Sequence, residues 1–280
     1  MPLGGRWVVL HQVTTGGGSP LDSARSDAGG RWRVLVPRVD SLSVYVVSAF
    51  QDGVAYFSQP IRVLAGKVAT ADTLVVYDTS SSGPAVRIRR RVVTVAKPKQ
   101  DGARDVVEII ELENPGRATR VAADSQTPTW AGAIPSAALQ FQVGTGDFSA
   151  EAVAQRGDSV LLFGPIQPDV TAQITYGYVL PRTLLVFAVP IDQPTSELDL
   201  LIEDTLSVVG APTVHPDGVE RIENRSFARW RTDSLPAGAP VTITFPAAGF
   251  RVERIVPLLA AVIVLVLGAG LWVALRRAPS

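Results

Sequence analysis

Cysteine is absent from this chain of 280 residues, and histidine is nearly absent, with only His11 and His215. Without a thiol there can be no disulfide, no thiolate nucleophile, no iron–sulfur cluster and no cysteine-based zinc site. Two histidines far apart in sequence also cannot build a metal site of several histidines. The sequence therefore predicts no metal and no other cofactor.

An excess of charge of either sign is also missing, because 26 Lys and Arg residues balance 26 Asp and Glu residues. Nucleic-acid-binding proteins normally carry a basic excess, so the balance argues against nucleic acid as a partner. Common catalytic motifs are missing too: the sequence has no G-x-S-x-G elbow, no P-loop and no G-x-G-x-x-G phosphate cradle. We therefore predict that the chain is not an enzyme.

One long stretch near the C-terminus carries no charge. Residues 255–275 read IVPLLAAVIVLVLGAGLWVAL. As a helix with a rise of about 1.5 Å per residue, this stretch would span about 31 Å, close to the hydrocarbon thickness of a bilayer. Arginines flank both ends, and Trp272 lies where aromatic residues contact headgroups. We predict a single transmembrane helix within residues 251–280, with the lipid bilayer as a partner; the alternative is a buried core helix.

Before this stretch, short apolar runs alternate with Gly, Pro, Asp and Ser, which is typical of β-sandwiches. The polar segment 78–84 predicts a linker between residues 1–77 and 85–250. We expect a mainly β protein with two β-sandwich domains, followed by a single C-terminal transmembrane helix. The predicted strands are Trp7–Val13, Arg31–Val36, Ser43–Ala49, Val54–Ser58, Thr73–Tyr77, Val86–Val95, Val106–Glu113, Ala138–Val143, Ser159–Gly164, Ala172–Leu180, Leu198–Glu203, Phe227–Thr232 and Val241–Phe245.

A short motif in the first region resembles a known family. Residues 26–37 read SDAGGRWRVLVP, with Trp32 in an aromatic position; the next strand candidate and the turn at Gly53 follow in order. This run is similar to the carboxypeptidase regulatory-like domain, a small transthyretin-like (prealbumin-like) sandwich, and the likeness covers roughly residues 5–77. The resemblance implies a fold and a binding or spacer role without chemistry, because the family's catalytic residues belong to separate domains.

The family usually has another strand before the one that contains Trp7, whereas this chain begins almost inside that strand. Because an unpaired sheet edge is a liability, we expect further sequence upstream, where a signal peptide could also lie. The β domains are then expected in the periplasm or outside the cell, with Arg276 and Arg277 in the cytoplasm. Tail anchoring, with the bulk in the cytoplasm, is the alternative, because no signal peptide is visible before the domains.

A basic run offers the first candidate contact residues. Alternation along a strand predicts that Arg87, Arg89 and Arg91 share one face. Such a face could contact anionic headgroups or an acidic partner. In the alternative interpretation the charges belong to a solvated or edge strand and discourage aggregation. The acids Glu108, Glu111 and Glu113 lie in the next predicted strand, where cross-strand pairing is expected.

Trp130 is the second candidate, because it lies between two prolines in the predicted loop 128–135. An exposed Trp would serve as an anchor for a partner; the alternative is a Trp packed over the end of the sandwich. Together these features predict a non-catalytic, membrane-tethered structural or interaction protein of the cell envelope with a protein partner, such as an accessory subunit of a larger membrane complex. A carbohydrate- or peptide-binding surface module is the alternative.

Overall fold

The computed structural model describes residues 1–40 and 42–246. These residues are mainly β, and they contain no α-helix. A helix with the length and hydropathy of a membrane span is accordingly not found in this part of the chain. The predicted transmembrane helix at 255–275 lies outside the described residues.

The described residues form 19 strands and one short 3₁₀ helix, Ala150–Ala152. The strands of the first region are β1 (Trp7–Thr14), β2 (Gly17–Arg25), β3 (Val44–Gln51) and β4 (Val54–Phe57). The remaining strands are β5 (Thr79–Ser80), β6 (Arg87–Val95), β7 (Arg104–Glu113), β8 (Thr119–Arg120), β9 (Trp130–Ala133), β10 (Leu139–Val143), β11 (Val153–Arg156), β12 (Ser159–Leu162), β13 (Ala172–Leu180), β14 (Val186–Ala188), β15 (Thr195–Ile202), β16 (Val208–Gly210), β17 (His215–Ile222), β18 (Arg225–Thr232) and β19 (Thr242–Thr244).

The first region is built on an antiparallel sheet in the order β2-β1-β3-β4. Its core lies on one face, where Val8, Leu10, Tyr45 and Val47 are fully buried. The Gly-rich segment after β1 turns at residues 15–16 and enters β2 at Gly17. The strand that contains Trp7 is therefore paired on both sides, and the unpaired edge expected beside it is not present among the described residues.

The predicted strands Arg31–Val36 and Thr73–Tyr77 do not form. Between residues 31 and 36 the side chains alternate in burial, as in a strand, and Trp32 packs against the core. The backbone, however, finds other partners: the Leu35 N–H donates to the Asp22 carboxylate at 2.6 Å. The alternation of polar and apolar residues thus predicts correctly which side chains of this segment are packed inward, but it does not predict the partners of the backbone hydrogen bonds.

The second region is organised by a seven-stranded sheet in the order β10-β13-β7-β6-β15-β18-β17. Each of its strands pairs antiparallel to its neighbour except β15, which runs parallel to β6. One face of this sheet shares a hydrophobic core with the small sheets β11-β12-β9 and β14-β19-β16. The strand predicted at Ala172–Leu180 is confirmed at both ends as β13, with every second residue buried.

The two regions contact each other around the predicted linker. Thr79 and Ser80 pair in parallel with β8, and the buried hydroxyls of Tyr56 and Thr119 lie 2.7 Å apart. Tyr77 also donates to Asp169 at 3.3 Å. Segment 78–84 is therefore partly paired with the second region, while the division into two domains stays a prediction.

Candidate interaction surface

The sheet of the first region leaves one face open. In β1 and β3, residues that point away from the core alternate with the buried ones, and the register aligns Val9 with Ser48 and His11 with Val46. Phe57 of β4 pairs with Ser48 and extends the same face. We call this surface the open face; its residues are Trp7, Val9, His11, Val13, Val44, Val46, Ser48, Phe50, Ala55 and Phe57.

Three aromatic residues of the open face are largely exposed. Trp7 is 53% exposed, Phe50 is 61% exposed and Phe57 is 60% exposed. Fully burying an aromatic side chain removes about 150–250 Å² from water, so the exposed halves leave a substantial apolar area in solvent. Contiguous apolar patches on a protein surface usually mark an interaction site, whereas single exposed apolar residues need no explanation. The clustering of these three side chains on one sheet face is thus the feature that indicates binding.

The polar groups of the open face are already engaged. His11 Nε2 and Ser48 Oγ lie 2.8 Å apart and bond to each other, and the His11 ring lies 6.1 Å from the Phe57 ring. At the margin, the Arg25 guanidinium stacks over the Trp7 ring, 4.8 Å from its centroid. The middle of the face therefore offers few free hydrogen-bonding groups to a ligand.

The basic run does not form one face, which corrects the sequence prediction. A β-bulge shifts the register between Ile88 and Arg90, so that Arg89 has no partner across the ladder. Arg87 and Arg89 are exposed, and Arg89 donates to Thr171 at 3.2 Å. Arg91, in contrast, points into the core. The bulge adds one residue to the strand and so reverses the alternation beyond it.

Arg91 belongs to a buried charged cluster. It is 1% exposed, and its Nε donates to Glu108, which is completely buried, at 2.8 Å. Tyr178 donates to the same carboxylate at 2.7 Å and Tyr176 at 3.2 Å, while Arg91 Nη1 donates to the Pro190 carbonyl. Of the predicted cross-strand pairing between the basic run and the acids of the next strand, the pair of Arg91 with Glu108 is confirmed here.

Burial and the neighbouring carboxylate control protonation in this cluster. Burial, and then Glu108, raise the pKa of Tyr176 and Tyr178 well above 10, so both hydroxyls remain donors. Burial alone would lower the pKa of Arg91, but the charge of Glu108 raises it overall. The carboxylate accepts from three side chains at once, and because Arg91 and Glu108 are buried, the cluster presents no accessible group to a ligand. Its role is to hold β6, β7 and β13 in register.

Trp130 is not an exposed anchor, which is a second correction. It lies in β9 and is 5% exposed, with its indole N–H donating to Gln193 at 3.0 Å. Its ring covers Gly132, where an added Cβ would lie 2.4 Å from a ring carbon. The prolines on either side indicated a loop, but the segment between them pairs with β12.

The outer face of the seven-stranded sheet carries an ion-pair network. Buried Asp199 accepts from Arg90 at 2.7 and 2.9 Å and from Arg229 at 2.8 and 3.0 Å. Burial works against ionisation of Asp199, yet the two guanidinium groups lower its pKa overall. A groove of 320 Å³ lies above this network, with Val92 and Leu201 in its lining. Because both arginines already donate to the Asp199 carboxylate, the groove offers a ligand charges that are paired within the protein.

A metal centre or an acid–base pair would require converging side chains. In residues 1–40 and 42–246, His, Asp and Glu side chains do not gather in groups of three that could hold a metal ion. A concavity of 510 Å³ in the first region is lined by Asp40 and Gln12, and Ser43 donates to Asp40 at 2.7 Å and accepts from Gln12 at 2.7 Å. These contacts stabilise the loop before β3.

Comparison with known proteins does not assign the chain to a family. No family model matches the sequence, and no curated protein matches it. Among solved structures, a two-domain M1 zinc metallopeptidase mutant bound to L-tryptophan is 7% identical, with a TM-score of 0.38 over 59% of this chain and 44% of that one. An M1 zinc metallopeptidase mutant from Deinococcus radiodurans, bound to a Tyr-Ser-Ala substrate, is also 7% identical in sequence. Its TM-score is 0.38 over 57% of this chain and 42% of that one. The chain thus spans less than half of either enzyme.

The open face was missed by the sequence reasoning, although the sequence holds a signal for it. Residues 7–10 and 44–47 read WVVL and VYVV, which are continuous apolar runs rather than alternating ones. Strands that read in this way are apolar on both faces. In a sheet that has a core on only one face, such runs predict that the opposite face is also apolar and binds another surface.

Proposed function

We propose that the chain is a non-catalytic, membrane-tethered interaction protein of the cell envelope, and that the open face is its binding surface. The observation that carries the proposal is the clustering of Trp7, Phe50 and Phe57, each more than half exposed, on one sheet face. Exposing these rings costs solvation free energy, and a protein partner that covers them would recover it.

In its finer form, the proposal includes two β-sandwich domains and the transmembrane helix at 255–275, with the lipid bilayer as a partner. It places the β domains in the periplasm or outside the cell. The resemblance to regulatory-like domains supports this topology. The second argument for it, an unpaired sheet edge beside the strand that contains Trp7, no longer holds because β1 pairs with β2. The exposed Arg87 and Arg89 remain candidates for contact with an acidic partner.

The exposed aromatic cluster also favours a second candidate function, binding of a carbohydrate, because sugar rings stack on aromatic side chains. A sugar also needs hydrogen-bonding groups beside the rings. The polar side chains of the open face, His11 and Ser48, already bond to each other. The apolar character of the surface therefore gives a protein partner the better support.

The test is native purification of the full chain from membranes, with identification of the proteins that co-purify. The double variant Phe50→Ser, Phe57→Ser removes two rings without touching the core. Its matched control is Leu206→Ser, Val208→Ser, which alters two exposed apolar residues of the second region. We expect the first variant alone to lose its partner. Retention of every co-purifying protein by the Phe50 and Phe57 variant would refute the assignment of the open face.

A further inference from the structure

We infer that the open face pairs with the open face of a second copy of this chain, an inference that rests on the proposed binding role of this face. The face contains no Asp, Glu, Lys or Arg residue, and Arg25 of β2 stacks on Trp7 at its margin. Two copies can therefore meet face to face without opposing like charges, which would otherwise cost several kcal/mol. A partner recognised by charge would need complementary groups that this face lacks.

Hydrogen-bonding capacity points in the same direction. His11 and Ser48 bond to each other at 2.8 Å, and Ser48 is 1% exposed. A sugar or a polar peptide would have to break this bond to find partners in the centre of the face. A second apolar face requires no such exchange, since it brings no unsatisfied donor or acceptor with it.

The face is also self-complementary in shape. Its three most exposed aromatic side chains lie at the end of the sheet where β1 begins, and three valines, beside His11, lie at the end where β1 finishes. We call these the aromatic end, Trp7, Phe50 and Phe57, and the valine end, Val13, Val44 and Val46.

We place a two-fold axis in the plane of the interface, perpendicular to the strands. This axis would put each aromatic end over the partner's valine end. Large side chains would then oppose small ones, as in well-packed sheet interfaces, where the two inner faces interdigitate. The same operation moves the two Arg25 side chains to opposite ends of the interface. Isologous pairing of this kind is the commonest symmetry of oligomers.

The size of the face sets the strength of the pairing. Strands of 8, 9, 8 and 4 residues, at about 3.3 Å per residue and about 4.8 Å between strands, give a face of roughly 460 Å². Two copies would bury about 900 Å², just below the roughly 1,000 Å² of stable specific interfaces. The dimer is therefore weak in solution. Confinement of both copies to one membrane raises their effective concentration and so favours the dimer.

The absence of cysteine from the chain makes the pairing directly testable. In the full chain reconstituted in lipid vesicles, Ser23→Cys places one thiol beside the centre of the face, because Ser23 pairs with Val9 and is exposed. Ser125→Cys, in an exposed turn of the second region, is the control. With a short bis-maleimide linker we expect cross-linked dimers from Ser23→Cys and few from Ser125→Cys.

Two further changes in the Ser23→Cys background separate specific packing from non-specific adhesion. Phe50→Asp should lower cross-linking about tenfold, the factor that ~1.4 kcal/mol produces. Val13→Trp adds apolar area but fills the valine end, so specific pairing predicts a similar loss, whereas adhesion predicts a gain. Equal cross-linking at the two cysteine positions, or cross-linking that survives both changes, would overturn the inference.

The same variants distinguish this inference from the proposed function. Loss of a different co-purifying protein in the Phe50→Ser, Phe57→Ser variant, together with no cross-linking through Ser23→Cys, refutes self-pairing and leaves the binding role in place. If neither co-purification nor cross-linking depends on the open face, both are wrong. In a Trp272→Phe background, quenching of tryptophan fluorescence by brominated lipids that disappears on Trp7→Phe, again without cross-linking, would identify the bilayer surface as the occupant and refute self-pairing.

Discussion

Breaking the buried cluster around Arg91 should destabilise the seven-stranded sheet more than any surface change on the same strand. Arg91→Leu removes the cation and leaves Glu108, which is completely buried, with only two tyrosine donors. Removing one partner of a buried ion pair typically costs about 3–5 kcal/mol, because the remaining charge is left uncompensated. Arg89→Leu, two residues away and exposed, should change stability by less than about 0.5 kcal/mol.

Removing both charges should recover part of this loss. In Arg91→Met, Glu108→Leu no charge stays buried, but the hydroxyls of Tyr176 and Tyr178 lose their acceptor. Each unsatisfied hydroxyl costs about 1–3 kcal/mol. Adding Tyr176→Phe and Tyr178→Phe removes these donors as well, so the fourfold variant should recover most of the loss, with only the Pro190 carbonyl left without its donor.

The measurement is hydrogen–deuterium exchange of the β6 and β7 amides in the full chain, which reports the opening of this sheet independently of the first region. A loss of about 3–5 kcal/mol lowers protection by roughly 10²- to 4 × 10³-fold. If protection in Arg91→Leu falls by less than about tenfold, or no more than in Arg89→Leu, the cluster does not hold the sheet together. A fourfold variant less stable than Arg91→Leu would equally contradict the reasoning.

Three further changes have expected outcomes. Gly132→Ala should cost about 1–3 kcal/mol by thermal unfolding, because its Cβ would lie 2.4 Å from the buried Trp130 ring, whereas Gly16→Ala, with its nearest atom at 3.7 Å, serves as the control. Arg225 and backbone hydrogen bonding lower the pKa of Glu203 from 4.5 to about 2. The contribution of ionised Glu203 to stability is thus complete above about pH 4.5 and is lost as the pH falls toward 2. Arg225→Met should therefore flatten this part of the curve of unfolding free energy against pH. Deleting the predicted transmembrane helix should move the protein into the soluble fraction, and a truncated chain that resists salt washing of membranes would refute the anchor.

Much of the strand pattern of the second region could be predicted because its strands alternate cleanly. In β13, Ala172, Ile174 and Tyr176 are buried while the residues between them are not, so period and length agree. Segment 31–36 has the same period, yet its backbone bonds to a side chain. Periodicity reports which side chains are buried, whereas pairing depends on partners that are distant in sequence.

The candidate contact residues were harder to predict for a related reason. A single bulged residue, Arg89, reverses the side-chain direction of every later position in β6 and so buries Arg91. Such a bulge has no distinct sequence signature in this run of four arginines among five residues. The prolines on either side of Trp130 predict a loop, but the strand between them needs only four residues.

The parallel pairing of β15 with β6 has a consequence for how this chain is made. Arg90 in β6 and Asp199 in β15 are 109 residues apart in sequence, so contacts of this kind close late and slow folding. While the ribosome is still adding the intervening residues, β7 and β13 can join β6 on one side, but the other side has no partner. The exposed Arg87 and Arg89 then lie on an edge that is temporarily free, and their charges oppose its capture by a neighbouring nascent chain.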